Sequence, residues 1–212
     1  MKKHLGLELF LFILSIVMLF PPVFLLRGWV SLPTAYMKRE NGFVYHQWAP
    51  ASQIPRHLKR AVVAAEDGSF FEHWGIDFEE MRKSVATNIE RKEFSRGFST
   101  ISMQLARNLY LYGDKTILRK IVEIFIATKM ELFLSKERIL EIYLNVVEWG
   151  PHIYGVEAAS RHYFKKHTSQ LSMEESIFLA SILPSPKKWG HWPPMPHVAK
   201  RMRLIRSLVS KQ

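Results

Sequence analysis

Apolar residues fill positions 9–26 without a break except at Ser15, with Lys2-Lys3 before the run and Arg27 after it. Eighteen residues at a rise of about 1.5 Å nearly cover a hydrocarbon core of roughly 30 Å. Leu5 to Leu7 lengthen the run although Glu8 interrupts it, and Pro21-Pro22 kink the helix or end it early. A cleaved signal peptide is the rival reading, but its apolar core is usually shorter and is followed by a small-x-small site. Phe24-Leu25-Leu26-Arg27-Gly28-Trp29 offers no such site. The pattern predicts an uncleaved N-terminal transmembrane helix within residues 1–27, the Lys2-Lys3 end in the cytoplasm and the rest of the chain outside. Arg27, Lys38 and Arg39 lie on the far side and weaken that orientation.

Residues 28–56 look like a connector. Pro33, Pro50 and Pro55 leave it little regular structure, and Trp29, Tyr36 and Trp48 suit the headgroup depth of a membrane. Helical spacing follows. Leu58, Val62 and Ala65 mark a buried stripe on a helix opened by Pro55 and broken at Gly68, and Glu66 continues that stripe. Phe78, Met81, Val85 and Ile89 mark another across 77–96, with Arg82, Lys83, Arg91, Lys92 and Arg96 around it. Two readings stay open there: a surface helix with a solvated charged face, or a basic segment resting on anionic lipid.

Ser99-Thr100 then reads as a loop feeding a helix. Thr100, Gln104, Arg107 and Asn108 share its polar face, and Ile101, Leu105 and Leu109 the apolar one. Residues 114–134 form one long helix in which Arg119, Lys120 and Glu123 are the only polar residues between Ile117 and Ala127. That composition predicts a helix buried round most of its circumference, with one charged stripe. Leu140, Tyr143 and Leu144 are core-spaced on the next helix. From His191 the tail carries Lys200, Arg201, Arg203 and Arg206, read as a basic helix with a solvated face.

Composition narrows the classes. The chain has 212 residues, 48% of them apolar and 23% charged, which suits one globular domain plus an appendage. There is no cysteine, so no disulfide framework and no thiolate metal site. The histidines lack H-E-x-x-H or clustered ligand spacing, so no protein-bound metal is expected. A net charge of +11 suits an anionic partner: a phospholipid surface, a phosphorylated substrate or nucleic acid. The anchor argues against nucleic acid.

Three features carry candidate chemistry. A carboxylate at a helix end, leaning onto an apolar face as Glu66 does, has its pKa raised by desolvation and becomes an acid or base for sugar chemistry. An ordinary surface acid is the alternative. The helix start at Ser99-Thr100 offers N–H groups and hydroxyls to an anion. Lys115, Arg119, Lys120 and Glu123 set several cations against one carboxylate, which suggests a cleft wall awaiting negative charge.

The spelling of these stretches resembles the peptidoglycan glycosyltransferases, both the monofunctional enzymes and the N-terminal domains of bifunctional penicillin-binding proteins. Glu66-Asp67-x-x-Phe70-x-x-His73-x-Gly75-x-Asp77 resembles their first signature. Gly97-Phe98-Ser99-Thr100-Ile101-Ser102-Met103-Gln104-Leu105-Ala106-Arg107-Asn108 is similar to the second, G-x-S-T-I-x-Q-Q-x-x-K-N. Met103 replaces its first Gln, Arg107 stands for its Lys, and Phe98 occupies a place where the family tends to have a small residue. Arg keeps the charge but presents a planar fork. Arg119-Lys120-x-x-Glu123 resembles the third, its Glu123 57 residues beyond Glu66. Ser135-Lys136-x-x-Ile139-Leu140-Glu141-x-Tyr143-Leu144-Asn145 resembles the fourth. Gly155-Val156-Glu157-Ala158-Ala159, Tyr163-Phe164 and the run from Leu171 to Pro186 resemble the last. The motifs arrive in order across residues 48–189. Ser185-Pro186-Lys187-Lys188 matches S-x-x-K, but no K-T-G follows, so no transpeptidase half is expected.

The resemblance implies an all-α, lysozyme-like, bilobal domain. Its larger lobe, within 57–190, carries Glu66 and the Arg119-to-Glu123 helix. A smaller, mobile, membrane-facing lobe at 77–97 covers the cleft, and 191–212 is a basic C-terminal helix. It implies that lipid II and the growing glycan are the substrates. Glu66 is then the general base, taking the proton of the acceptor 4-hydroxyl as it attacks the donor anomeric carbon with inversion. A pyrophosphate leaving group needs cations where a hydrolase needs a protonated acid. Arg107, Lys115, Arg119 and Lys120 supply them, with Ser99, Thr100, Gln104 and Asn108 beside them and Asp67, Phe70 and His73 also toward substrate. Glu123 orients the cations or helps hold a divalent ion. No tightly bound cofactor is implied; Mg2+ or Mn2+ could arrive with the substrate diphosphate. The implied setting is the inner membrane, single-pass, with an extracytoplasmic catalytic domain, an anionic membrane surface and other cell-wall synthesis proteins as partners. Two alternatives come from other classes: a lysozyme-like lytic enzyme, and an inactive membrane-tethered glycan-binding protein.

Overall fold

The computed structural model describes residues 22–28, 30, 32–91, 99–111 and 116–211. The anchor as far as Pro21, Trp29, residues 92–98 with Gly97 and Phe98, and Lys115 lie outside them.

Nine α-helices follow one another among the described residues. The first four are α1 (Arg56–Glu66), α2 (Phe78–Arg91), α3 (Ile101–Tyr110) and α4 (Ile117–Phe133). They are followed by α5 (Lys136–Val146), α6 (Val156–Phe164), α7 (Met173–Ile182), the single turn α8 (Pro186–Trp189) and α9 (Pro196–Val209). Side-chain caps set the starts of four of them. Thr100 accepts from Met103 N at 3.2 Å, Thr116 from Arg119 N at 3.1 Å and Ser135 from Arg138 N at 3.2 Å. Ser172 and Glu175 form a reciprocal capping box on α7. Each such cap contributes about 1 kcal/mol.

The all-α expectation needs one correction. Three short strands, β1 (Tyr45–His46), β2 (Glu148–Gly150) and β3 (Ile153–Tyr154), form a sheet in the order β1-β3-β2. β3 runs parallel to β1 and antiparallel to β2. Strands of two or three residues are too short to show an alternating pattern. Gly155 turns the chain out of β3 at φ +83°, where a Cβ would stand 2.7 Å from the carbonyl oxygen of Asn145. Only glycine adopts that geometry without a clash.

The core is built on Trp149, Tyr143, Tyr154, Phe70 and Phe178, all fully buried. α3 packs between α4 and α5, while α1 lies on α7, and α9 closes against both α1 and α7. α2 makes no extensive contact with another helix among the described residues.

Two stretches differ in part from their expected setting. The end of the predicted anchor belongs to the folded domain: Val23–Arg27 forms a 3-10 turn on α4, with Val23 and Leu26 buried. Arg27 Nε donates to Phe133 O at 2.6 Å and Arg138 Nε to Leu26 O at 2.8 Å. No helix among the described residues is long and apolar enough to cross a membrane. On α4 the charged stripe faces inward beside the buried Ile126, Ala127 and Met130, and many of the other apolar residues face out. Glu123 is 1% exposed, whereas Ile117 and Leu118 are 84% and 71% exposed. Ile121, Phe125 and Leu132 join that outer face. The inward face is tenable because Glu123 takes a cation on each oxygen, so its burial leaves no lone charge.

Candidate active site

Glu66 is the last residue of α1. Asp67 N still closes a helical bond to Val63 O, but its φ of −162° turns the chain away, leaving the Glu66 side chain at the helix end. Each carboxylate oxygen has one protein donor. Oε2 accepts from Gln104 Nε2 at 3.1 Å, and Oε1 from Arg201 Nη2 at 3.2 Å. Tyr143 donates its hydroxyl to Gln104 Oε1 at 3.0 Å, which fixes the amide with its NH2 toward Glu66. Burial raises the Glu66 carboxyl above the usual glutamate range, with Gln104, Arg201 and Arg107 pulling the other way. Burial also lifts the Tyr143 phenol well above its ordinary value, so it stays a donor.

The loop after Glu66 is tied down by its own side chains. Asp67 Oδ1 pairs with His73 Nε2 at 2.9 Å, and Oδ2 accepts from Ile101 N at 2.9 Å. His73 Nδ1 accepts from Gly75 N at 3.1 Å. Thr100, buried, donates to Gly75 O at 2.7 Å. Lys136 Nζ reaches His73 O at 2.6 Å, Glu131 at 2.8 Å and the face of Phe70 at 4.5 Å. Gly75, at φ +83°, lies so close to α4 that a Cβ would meet Glu131 Cγ at 3.2 Å. Ser69 donates to Asp77, and Asp77 accepts from Glu80 N at 2.7 Å at the start of α2.

Several predicted substrate contacts therefore serve the protein itself. Asp67 spends both oxygens on His73 and the first N–H of α3. Phe70 is fully buried, with no face open to a ligand. The anion site expected at the start of α3 is already served from within, Ile101 N by Asp67 and Met103 N by Thr100. Met103 is itself fully buried, so its departure from the signature falls in the core. Asn108 is buried, and its carbonyl accepts from Tyr36 N at 3.2 Å.

The cations gather on α3 and α4. Glu123 Oε1 holds Arg119 Nη1 at 2.5 Å and Oε2 holds Lys120 Nζ at 3.0 Å. Lys120 also donates to Ser99 Oγ at 2.7 Å, and burial lowers its pKa. Arg107 has a buried Nε with no hydrogen-bond partner among the described residues. Ser99 joins the two halves: Gln104 Nε2 lies 3.4 Å from its carbonyl oxygen. Glu66, Gln104, Ser99, Lys120, Glu123 and Arg119 thus form one continuous polar chain. A cavity of about 1040 Å³ opens beside it, lined by Glu66, Asp67, His73, Ser99, Thr100 and Arg201 among others. Arg107, Arg119, Lys120 and Glu123 do not line that cavity, and Lys120 reaches it only through Ser99.

Sequence reasoning missed two members. Arg201, read as part of a solvated tail, reaches the Glu66 carboxylate; nothing in its local spacing marks it among the other basic residues of α9. Tyr143, read as core, is core in its ring and polar at its tip. Its type was the available signal, since a buried tyrosine hydroxyl usually finds a partner.

The sequence profile of the transglycosylase family matches residues 35–209. A biosynthetic peptidoglycan transglycosylase of Nitrosospira multiformis is 45% identical over 174 residues, 82% of this chain and 76% of the relative. One of Nitrosomonas eutropha is 43% identical over 176 residues, 83% and 72% of the two chains. One of Aeromonas hydrophila is 46% identical over 163 residues, 77% and 69%.

Proposed function

We propose a mechanism from the premise that the chain belongs to the transglycosylase family and is a glycosyltransferase that polymerises the glycan of peptidoglycan. Glu66 is the general base. It takes the proton of an acceptor sugar 4-hydroxyl, and that oxygen attacks the anomeric carbon of a lipid-linked donor. The bond from that carbon to the pyrophosphate breaks, with inversion, and the electron pair leaves on the diphosphate. General-base assistance of this kind contributes on the order of 10²–10⁴-fold. The observation that carries the reading is the Glu66 carboxylate at a cavity wall, linked through Gln104 and Ser99 to a bank of cations.

Those cations separate the transferase from the lytic reading. A raised carboxyl would serve either chemistry, but a diphosphate leaving group needs positive charge rather than a proton. Arg107, with its buried Nε lacking a partner, Arg119 and Lys120 supply it, and Glu123 keeps the latter two aimed.

The protein's donor set does not fit a resident divalent ion. Glu123 already holds a cation on each oxygen, and no group of three acidic or histidine side chains is placed to ligate a metal among the described residues. The outward face of α4, with Phe24 and Leu25 beside it and Phe78, Val85 and Ile89 on α2, exposes apolar side chains that suit a lipid surface. The enzyme works at the membrane that carries its lipid-linked substrate, on the extracytoplasmic side.

The test uses the full-length protein in detergent with labelled lipid II. The wild type makes long polymer, whereas shortened preformed glycan would mark a lytic enzyme and binding without turnover an inactive one. Glu66→Gln abolishes polymer and leaves lipid II binding within about twofold, as loss of a group used in the transition state should. Undiminished polymerisation by that variant would remove Glu66 from the base role.

A further inference from the structure

One oxygen of Glu66 is held from the far end of the chain. Arg201 Nη2 donates to Glu66 Oε1 at 3.2 Å and to Ala65 O at 3.2 Å, so it grips both the carboxylate and the last turn of α1. The helix that brings it is independently anchored. Val198, Met202, Ile205 and Val209 are buried, and Arg60 on α1 donates to Val209 O at 3.1 Å. Arg201 lines the same cavity as Glu66, and its Nε is buried without a partner among the described residues. A guanidinium recruited only to cap α1 would have no need to reach past the Ala65 carbonyl to the side chain beyond it.

We propose that Arg201 is a positioning residue of the transfer reaction, holding one carboxylate oxygen of Glu66 so that its remaining lone pairs face the acceptor hydroxyl. The proposal rests on the reading of Glu66 as the base. Gln104 holds Oε2 and Arg201 holds Oε1, one donor on each oxygen, and Tyr143 fixes Gln104 in turn. The charged and titratable groups facing Glu66 are Arg201 from α9, Arg107 from α3, Tyr143 from α5 and the neighbouring Asp67. Arg201 favours the ionised carboxylate against its burial, so its removal moves the titration of Glu66 to higher pH.

The experiment compares full-length wild type, Arg201→Gln, Arg201→Met and Arg201→Lys for polymerisation of labelled lipid II across pH, with Glu66→Gln alongside. Arg201→Met keeps the packing of the aliphatic stem and guards against a loosened α9. Gln and Met are expected to lower kcat about 10–100-fold, the scale of a misplaced catalytic group, with KM within about twofold. The acid limb of their kcat profiles moves up by about one pH unit, the scale of losing an adjacent opposite charge. Lys restores part of both. An acid limb at the wild-type position in Gln and Met overturns the proposal, even if kcat has fallen. Glu66→Gln separates the two failures: if it is inactive while the Arg201 variants titrate as wild type, the base stands and only the Arg201 assignment falls. Activity retained by Glu66→Gln sinks the base reading first.

Discussion

Burial and hydrogen bonding pull the Glu66 carboxyl in opposite directions, and burial prevails. Under the proposed mechanism Glu66 must be ionised to act, so activity is expected to rise with pH through its raised pKa. The acid limb of the wild-type kcat profile is therefore expected above the ordinary glutamate value of about 4.3. A limb at or below that value would mean that burial does not control this group. Asp67, next in the chain, has the opposite character. Its oxygens serve Ile101 N and His73, so Asp67→Ala leaves two inward donors unmatched and costs about 1–3 kcal/mol. For a chain of this size that lowers Tm by roughly 2–4 °C per kcal/mol, measurable by calorimetry. An unchanged Tm with weakened lipid II binding would return Asp67 to the substrate. The sequence shows that both residues are acids beside a helix end; it does not show that Asp67 takes the first N–H of α3, because that contact spans 34 residues.

Among the elements, α1, α3 and α5 follow their apolar spacing, with Leu58 and Val62, Ile101 and Leu105, and Leu140 and Leu144 all buried. α4 does not. Periodicity reports that a helix has two faces, and it is silent on which one meets the core when charges are clamped in threes. Glu123 with Arg119 and Lys120 turns inward beside Ile126, Ala127 and Met130, which leaves Ile117, Leu118, Ile121, Phe125 and Leu132 facing outward. Replacing Ile117, Leu118 and Ile121 by Ser is expected to leave Tm within about 1 °C, since exposed positions contribute little. Binding to vesicles containing anionic lipid should fall at least tenfold in a flotation assay, since each buried apolar side chain is worth about 1.5–3 kcal/mol. Vesicle binding at the wild-type level would assign that face to something other than lipid. The sheet escaped the sequence for a different reason: β1 meets β3 across more than a hundred residues, and neither strand is long enough to announce itself.

At the scale of the whole molecule, distant segments close on one another. Arg27 meets Phe133, His46 meets Asn145, and Arg60 meets Val209, so early and late parts of the chain share one body. α9 covers α1 and α7 and brings the second grip on Glu66. A chain ending before Pro196 is expected to lose polymerisation completely and to melt at a lower temperature with a broadened transition, checked by calorimetry beside the lipid II assay. A truncated chain that still makes polymer would show that α9 is dispensable. Glu66, Arg119, Lys120 and Glu123 stand out in the sequence by type and spacing, and the structure joins them in one polar chain. Arg201 does not stand out, since a single arginine 135 residues away carries no local sign of its partner.

The direction of protein synthesis gives that long span a biological meaning. Glu66 is made 135 residues before Arg201, so its second contact cannot form until α9 has been synthesised and has docked on α1.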